Sequence, residues 1–212
     1  MLNRNFDLNI EDYVTVDFAV VAEVVDLLGG IEVDVDDKEA EEMNRHIDGT
    51  ADVVGKETAH VKAGVQTLDG VQAVTYARIR KNVGGDYERT VRQRELVQKL
   101  VEKAKKAKLE TVNDIIDTVF KRISTSITLD EMLGLASHVF QYELGETKGY
   151  AFEYTDGNVE GIGSVVIPAG ALKNVESLQA FLYPEQKYVP TDTVKNITEE
   201  IDKATGYKGE TE

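Results

Sequence analysis

The sequence has no cysteine. Disulfides, thiolate catalysis and zinc–thiolate sites are therefore excluded. The compartment stays open, because a chain of 212 residues can bury enough surface to do without covalent staples. Histidine is nearly as scarce. His46, His60 and His138 are scattered without ligand spacing, and none is assigned a role. Long apolar runs are missing too. The longest stretch free of Asp, Glu, Lys and Arg runs from Gly161 to Leu172, well short of the ~20 apolar residues that span a bilayer. The N-terminus, Met1-Leu2-Asn3-Arg4-Asn5-Phe6-Asp7, lacks the apolar segment of a secretory signal. As it stands, the chain reads as soluble.

Positive charge is the remaining scarcity. Lys and Arg number 24 against 39 Asp and Glu, for a net charge of −15. A surface this acidic repels nucleic acid and anionic lipid, so nucleic acid is not an expected partner. What is present is ordinary for a globular chain: 42% hydrophobic and 30% charged residues, enough for a core and a well-solvated surface.

Along the chain, Val14-Thr15-Val16-Asp17-Phe18 alternates and reads as a strand. Val20, Val21, Val24, Val25 and Leu28 follow at helical spacing, and Gly29-Gly30 ends that helix. Ile31-Glu32-Val33-Asp34-Val35 alternates again as a second strand. Strand, helix and strand in succession indicate an α/β fold. Residues 36–62 are acidic and read as irregular, broken by Gly49 and Gly55. Residues 67–74 read as a turn feeding a short helix with Asp69 as its cap. A long helix is expected over 87–107, with Leu96, Val97, Leu100, Val101 and Ala104 on its apolar stripe. Asp86 is placed to cap it. Further helices are expected over 111–121, 129–141, 171–182 and 191–204. The second of these expected helices, over 129–141, has Thr128 and Glu131 at capping-box spacing. Short strands are expected at 152–154 and 164–167. Residues 1–205 read as one domain, with a motif-bearing part at 10–108, a more helical part at 109–205 and a frayed tail at 206–212.

The strongest chemical signal lies between Arg78 and Arg94. There Arg78, Arg80, Lys81, Arg89, Arg92 and Arg94 face only Asp86 and Glu88, a local net charge of +4 that leaves −19 for the rest of the −15 chain. Arg89, Arg92 and Gln93 fall at i, i+3 and i+4 on one helix face. They sit in the first turns, where the helix dipole is positive and arginine is locally unfavourable. An anion docked against the helix N-terminus and the guanidiniums together would reverse that cost. Arg78 and Arg80 precede the Gly84-Gly85 loop, which is short enough to fold them back toward Arg89 and Arg92. The planar fork of arginine suits phosphate. Salt bridges to the many surface carboxylates are the competing explanation, and residue by residue the commoner one. Asp86 could orient the arginines or accept a proton from an attacking hydroxyl. Walker, HExxH and GxSxG patterns are all missing. Physical reading of the residues alone reaches an α/β domain with an oxyanion or phosphate site.

Two stretches carry a resemblance. Gly64-Val65-Gln66-Thr67-Leu68-Asp69-Gly70-Val71-Gln72-Ala73-Val74-Thr75-Tyr76-Ala77-Arg78-Ile79-Arg80, and then Gly85-Asp86-Tyr87-Glu88-Arg89-Thr90-Val91-Arg92-Gln93, resemble the LytR-CpsA-Psr family at nearly every fixed position of its motif. The strand–helix–Gly-Gly–strand unit before them is also similar, so the resemblance covers residues 10–108. It implies an α/β/α domain, a mixed sheet flanked by helices that enclose a tunnel for a polyprenyl chain. It also implies more chain before the Tyr13 strand, carrying sheet strands, arginines, the acidic metal ligands and a membrane anchor. By that measure the fold is incomplete at its N-terminus.

The implied activity is a phosphotransferase of cell wall biogenesis. It attaches polyprenyl-pyrophosphate-linked glycopolymers, of wall teichoic acid or capsule type, to a peptidoglycan hydroxyl with Mg2+ assisting. The implied location is the extracytoplasmic face of the cell envelope. An alternative is a non-catalytic envelope protein that binds polyprenyl or glycan phosphates. The family's older description, transcriptional attenuation, finds no support in an acidic chain without a helix-turn-helix. On the matching motif positions, Arg78, Arg80, Arg89, Arg92 and Gln93 are the implied pyrophosphate ligands, Asp86 and Arg89 the implied catalytic pair. No metal ligand is assignable.

Overall fold

The computed structural model describes residues 1–80, 83 and 85–206, with position 86 described by its backbone alone. The expected tail lies almost wholly outside the described residues. The chain divides into two compact units, Asp12–Thr147 and Met1–Glu11 with Lys148–Glu212. The α/β class holds, in the form of helices with three two-stranded antiparallel sheets among the described residues.

In the first unit, β1 (Val14–Thr15) precedes α2 (Phe18–Leu27), β2 (Ile31–Val35), α3 (Asp37–Val54), β3 (Gly64–Leu68), α4 (Gly70–Arg78), α5 (Gly85–Lys106), α6 (Leu109–Phe120), β4 (Ser124–Thr125) and α7 (Leu129–Ser137). The other unit holds α1 (Leu2–Phe6), β5 (Tyr154–Val159), β6 (Gly163–Pro168), α8 (Ala171–Leu182) and α9 (Asp192–Thr205).

Local chemistry accounts for most helix starts. Asp17 Oδ1 accepts from the Val20 N–H at 2.7 Å and opens α2. That cap shortens the expected strand at 14–18 to Val14–Thr15. Asp69 caps α4 as expected and closes a full capping box with Gln72. Thr128 and Glu131 do the same for α7. The long helix starts at Gly85, so position 86 falls in its first turn and not at its cap.

One expectation fails outright. Residues 37–54 are not irregular but form the 18-residue helix α3. Asp36 and Glu39 make its capping box and Gly55, at φ 76°, ends it in the left-handed conformation. Ala40, Met43 and Ile47 carry the buried face. Asp37, Glu41, Asp48 and Asp52 form its solvent side, while Glu42 is buried with the apolar face.

Ile31, Val33 and Val35 of β2 are buried while Glu32 and Asp34 are exposed. β2 pairs with β3 in antiparallel register, Ile31 opposite Leu68 and Val35 opposite Gly64. With Val25, Met43, Ile47, Val71, Ala73, Tyr76 and Leu96 they form one continuous apolar core. Two glycines are required by close approach. A Cβ on Gly30 would stand 2.6 Å from the Thr67 side chain, and Gly30 is at φ 80°. A Cβ on Gly70 would stand 2.1 Å from the Ala22 carbonyl oxygen, so α2 and α4 cross here only because the position is glycine. Thus Gly30 and Gly70 are conditions for the packing of the α2–β2–α4 layer.

In the second unit, β5 and β6 form a hairpin with Tyr154 opposite Pro168. Asn174 on α8 and Asp7 at the end of α1 supply much of its polar bonding. Asn174 Oδ1 accepts from the Phe152 and Glu153 N–H groups at 2.8 and 3.1 Å.

Candidate functional site

The geometry of the arginine region follows from where α4 stops and α5 starts. Arg78 is the last residue of α4, and Ile79 leaves the helix in an extended conformation at φ −60°, ψ 140°. Ile79 is buried, while Arg78 and Arg80 on either side of it are exposed. The two arginines therefore share the outward side of this short segment, as the alternation expected of extended backbone requires. Arg89 lies half-buried in the second turn of α5. Lys81 lies outside the described residues, as does the side chain of Asp86.

Arg78 is anchored from two other helices. Its guanidinium carbon sits 4.3 Å from the centre of the Phe18 ring at the start of α2. Its Nη1 donates to the Thr50 hydroxyl of α3 at 3.3 Å. Beside it opens an apolar cavity of about 350 Å3. Val16, Phe18, Val20, Val21 and Val24 line one side; Val74, Ala77, Leu96, Val97 and Leu100 line the other. Arg78 and Gln93 are the polar side chains bordering it. Gln93 donates to the Ala77 carbonyl at 3.3 Å, which ties α5 to the end of α4.

Arg92 turns the other way. It is 4% exposed. Its Nη1 donates to Glu39 at 3.0 Å, and its Nη2 donates to the Ile79 and Val83 carbonyls at 3.2 and 3.0 Å. The charge is thus already matched by a carboxylate, and its donors hold the two ends of the 79–83 segment. The arrangement makes Arg92 a brace for the loop that carries Arg80. Glu39 has two tasks: the same carboxylate accepts from the Asp36 N–H at 3.2 Å and so closes the capping box of α3. The Tyr76 hydroxyl donates to Glu95 at 2.8 Å. Burial, then the Glu95 hydrogen bond and the Glu95 and Glu39 charges, push its ionisation far above the ordinary range, so it stays a neutral donor.

The sequence-predicted residues therefore separate. Arg78 and Gln93 meet at the lip of one cavity. Arg80 is exposed and Arg89 half-buried, whereas Arg92 is buried and bonded to the Ile79 and Val83 carbonyls. Phe18, Thr50 and Glu39 were missed. Each comes from an element distant in sequence, and only the Asp36-x-x-Glu39 spacing left a local trace, as a capping box.

Among the described residues, no group of three or more His, Asp or Glu side chains could hold a metal ion. Asp26, Asp36 and Asp69 are occupied with backbone N–H groups. The described residues therefore do not fit a magnesium shell. Among the described residues, no helix is long and apolar enough to cross a membrane.

The teichoic acid transferase TagV of Bacillus subtilis strain 168, a polyisoprenyl-teichoic acid–peptidoglycan enzyme, is 31% identical over 135 residues, 62% of this chain and 32% of that protein. TagT of the same organism, of the same description, is 28% identical over 152 residues, 69% of this chain and 44% of that protein. The chain thus spans less than half the length of these curated relatives. The crystal structure of B. subtilis TagV superposes with a TM-score of 0.61 at 25% identity, covering 89% of this chain and 69% of that one. A structure of TagT bound to LIIa-WTA gives 0.60 at 19% identity, covering 97% and 65%. The fold is shared with both. The model of the LytR_cpsA_psr family matches residues 1–180, well past the 10–108 where motifs are legible, and with that match the chain belongs to the LytR_cpsA_psr family.

Proposed function

We propose that this chain carries the phosphate-gripping and prenyl-holding part of a glycopolymer transferase of the cell envelope. Its substrate would be a glycan of wall teichoic acid or capsule type on polyprenyl pyrophosphate, and its acceptor a peptidoglycan hydroxyl. One observation carries this reading: an apolar cavity of about 350 Å3 has Arg78 and Gln93 on its border. An amphiphile with a hydrocarbon chain and an anionic head matches that juxtaposition. Chain burial supplies affinity roughly in proportion to apolar area. The arginine fork fixes the phosphate. Family membership and the names of the relatives support the same reading.

In the reaction, the acceptor oxygen attacks the phosphorus that bears the glycan. The bond from that phosphorus to the bridging oxygen breaks, and prenyl phosphate leaves with that oxygen. The hydroxyl proton passes to a base, the role we assign to Asp86. Arg78, Arg80 and Arg89 would neutralise the charge on the two phosphates, and positioning with neutralisation is the main source of rate in such transfers. Arg92 would keep Arg80 in place without touching the substrate. The working location would be the outer face of the cell membrane, where the lipid-linked glycan and peptidoglycan meet.

Calorimetric titration of a short prenyl pyrophosphate into the chain, with and without magnesium, tests this. Wild type should bind. Arg89→Ala and Arg78→Ala should each weaken binding roughly 10- to 100-fold, the worth of hydrogen bonds to a charged group, with the thermal midpoint unchanged. Binding that neither variant weakens would remove the arginines from the site. Binding without transfer of a lipid-linked glycan to peptidoglycan would favour the non-catalytic binder.

A further inference from the structure

Phe18 belongs to two groupings at once. Its ring lies under the Arg78 guanidinium at 4.3 Å, and the same residue lines the apolar cavity beside Val16, Val20 and Val21. It is the first residue of α2, in a turn closed by the Asp17 side chain accepting from the Val20 N–H at 2.7 Å. Thr50 holds the cation from a second direction. Its hydroxyl is itself tied to the His46 carbonyl at 3.1 Å, and the residue is 2% exposed. A guanidinium stacked on a ring and held at one nitrogen still presents further N–H donors to an anion.

The exposure of Phe18 matters here. At 44% its ring is open to water, and a cation–π contact in water is weak. The same contact strengthens on desolvation, from about 2- to 5-fold in binding terms at an exposed site to about 30-fold when dry. A hydrocarbon chain filling the cavity would cover the ring and so dry it. Resting on the function proposed above, the geometry points to Phe18 as a positioning residue that couples the two halves of one ligand. The chain in the cavity covers the ring, the covered ring fixes Arg78, and Arg78 meets the anion. The ligand class that gains from this is a single molecule joining an apolar chain to a phosphate. Phosphate alone and chain alone each gain only their own part.

Three probes read this coupling in the full chain by calorimetry: inorganic pyrophosphate, farnesyl pyrophosphate and farnesol. Phe18→Leu keeps an apolar lining and removes the ring. It should weaken farnesyl pyrophosphate on the order of 10- to 30-fold, pyrophosphate by at most about 5-fold and farnesol by less than about 3-fold. Phe18→Tyr keeps the ring and should bind all three as wild type does. Arg78→Ala added to Phe18→Leu should cost little beyond Arg78→Ala alone. If Phe18→Leu lowers the thermal midpoint, Arg78→Lys decides in its place. It keeps the charge without the stacked fork and should show the same selective loss of farnesyl pyrophosphate. Equal losses for farnesyl pyrophosphate and farnesol, with none for pyrophosphate, would overturn the coupling and leave the site reading intact. Wild type that binds neither pyrophosphate probe would overturn that reading, and the role of Phe18 with it.

Discussion

Ile31, Met43, Ile47 and Leu68 are fully buried in the Asp12–Thr147 unit, and their neighbours in the core are apolar as well. In the other unit, the buried residue with the richest bonding is an amide. Asn174, 2% exposed, accepts two N–H groups and donates to the Glu153, Ala169 and Gly170 carbonyls at 3.0, 3.2 and 3.2 Å. Gln179, also buried, donates to the Phe6 and Asp7 carbonyls at 2.6 and 3.1 Å. Among the described residues there, the buried apolar side chains are Ile167, Ala171, Val175 and Val194. The first region has the larger apolar core, and the second leans more on directed hydrogen bonds from buried amide side chains to backbone. The difference bears on function. A cavity for a hydrocarbon and a rigid frame for arginines both need a close-packed apolar layer, and the candidate site lies wholly in the unit that has one.

The largest effect should come from the apolar side of this contrast. Ile31→Ala removes three methyl-sized groups opposite Leu68 and should cost about 3 kcal/mol, read as a lowered urea midpoint with an unchanged slope. A cost below about 1 kcal/mol would mean that the β2–β3 layer collapses onto the space and is not close-packed.

Asn174 tests the other side. Asn174→Leu conserves volume and removes every bond. If directed bonds hold this unit, the orphaned Phe152 and Glu153 N–H groups should make the leucine variant about 2 kcal/mol less stable. Amide exchange around 152–153 should rise with it. A leucine variant as stable as wild type would show that burial suffices in both units and erase the contrast.

The legibility of the chain follows the same division. Helix starts that use a side chain near in sequence were readable, as at Asp69 and Thr128, and α8 falls on its expected residues. The helix α3 was not, because its surface is acidic and Gly49 sits in its middle. At that position a Cβ would meet open space, so the glycine costs helix propensity without breaking the helix. β3 was missed because Val65 is exposed and Gln66 half-buried, the reverse of the alternation that marks a strand. Its conformation comes from pairing with β2. The arginine cluster was legible as a cluster. What each arginine faces was not: Glu39 reaches Arg92 from 53 residues away, and local spacing cannot tell an arginine turned outward from one turned under a loop.

The smallest expected effect concerns Asp7, whose bonding again belongs to the polar unit. It takes the Tyr188 hydroxyl at 2.7 Å, the Thr191 N–H at 2.9 Å and the Thr191 hydroxyl at 2.7 Å. Burial works to raise its carboxyl, but the Thr191 N–H, the Tyr188 hydroxyl and the Thr191 hydroxyl together outweigh it and hold the group below its ordinary value. A carboxyl depressed in this way binds fewer protons folded than unfolded. Its contribution is therefore present above the unfolded value of about 4 and is lost as pH falls through the lower folded value. Asp7→Asn keeps one acceptor and removes the charge, so the loss at neutral pH should be small, below about 1 kcal/mol. The informative quantity is its pH dependence. The thermal midpoints of wild type and Asp7→Asn should differ at pH 7 and converge as the pH drops below about 4. A difference that persists unchanged into acid would assign the effect to geometry and take the charge out of it. Convergence would mean that this unit, poor in buried apolar side chains, draws part of its stability from one ionised carboxylate.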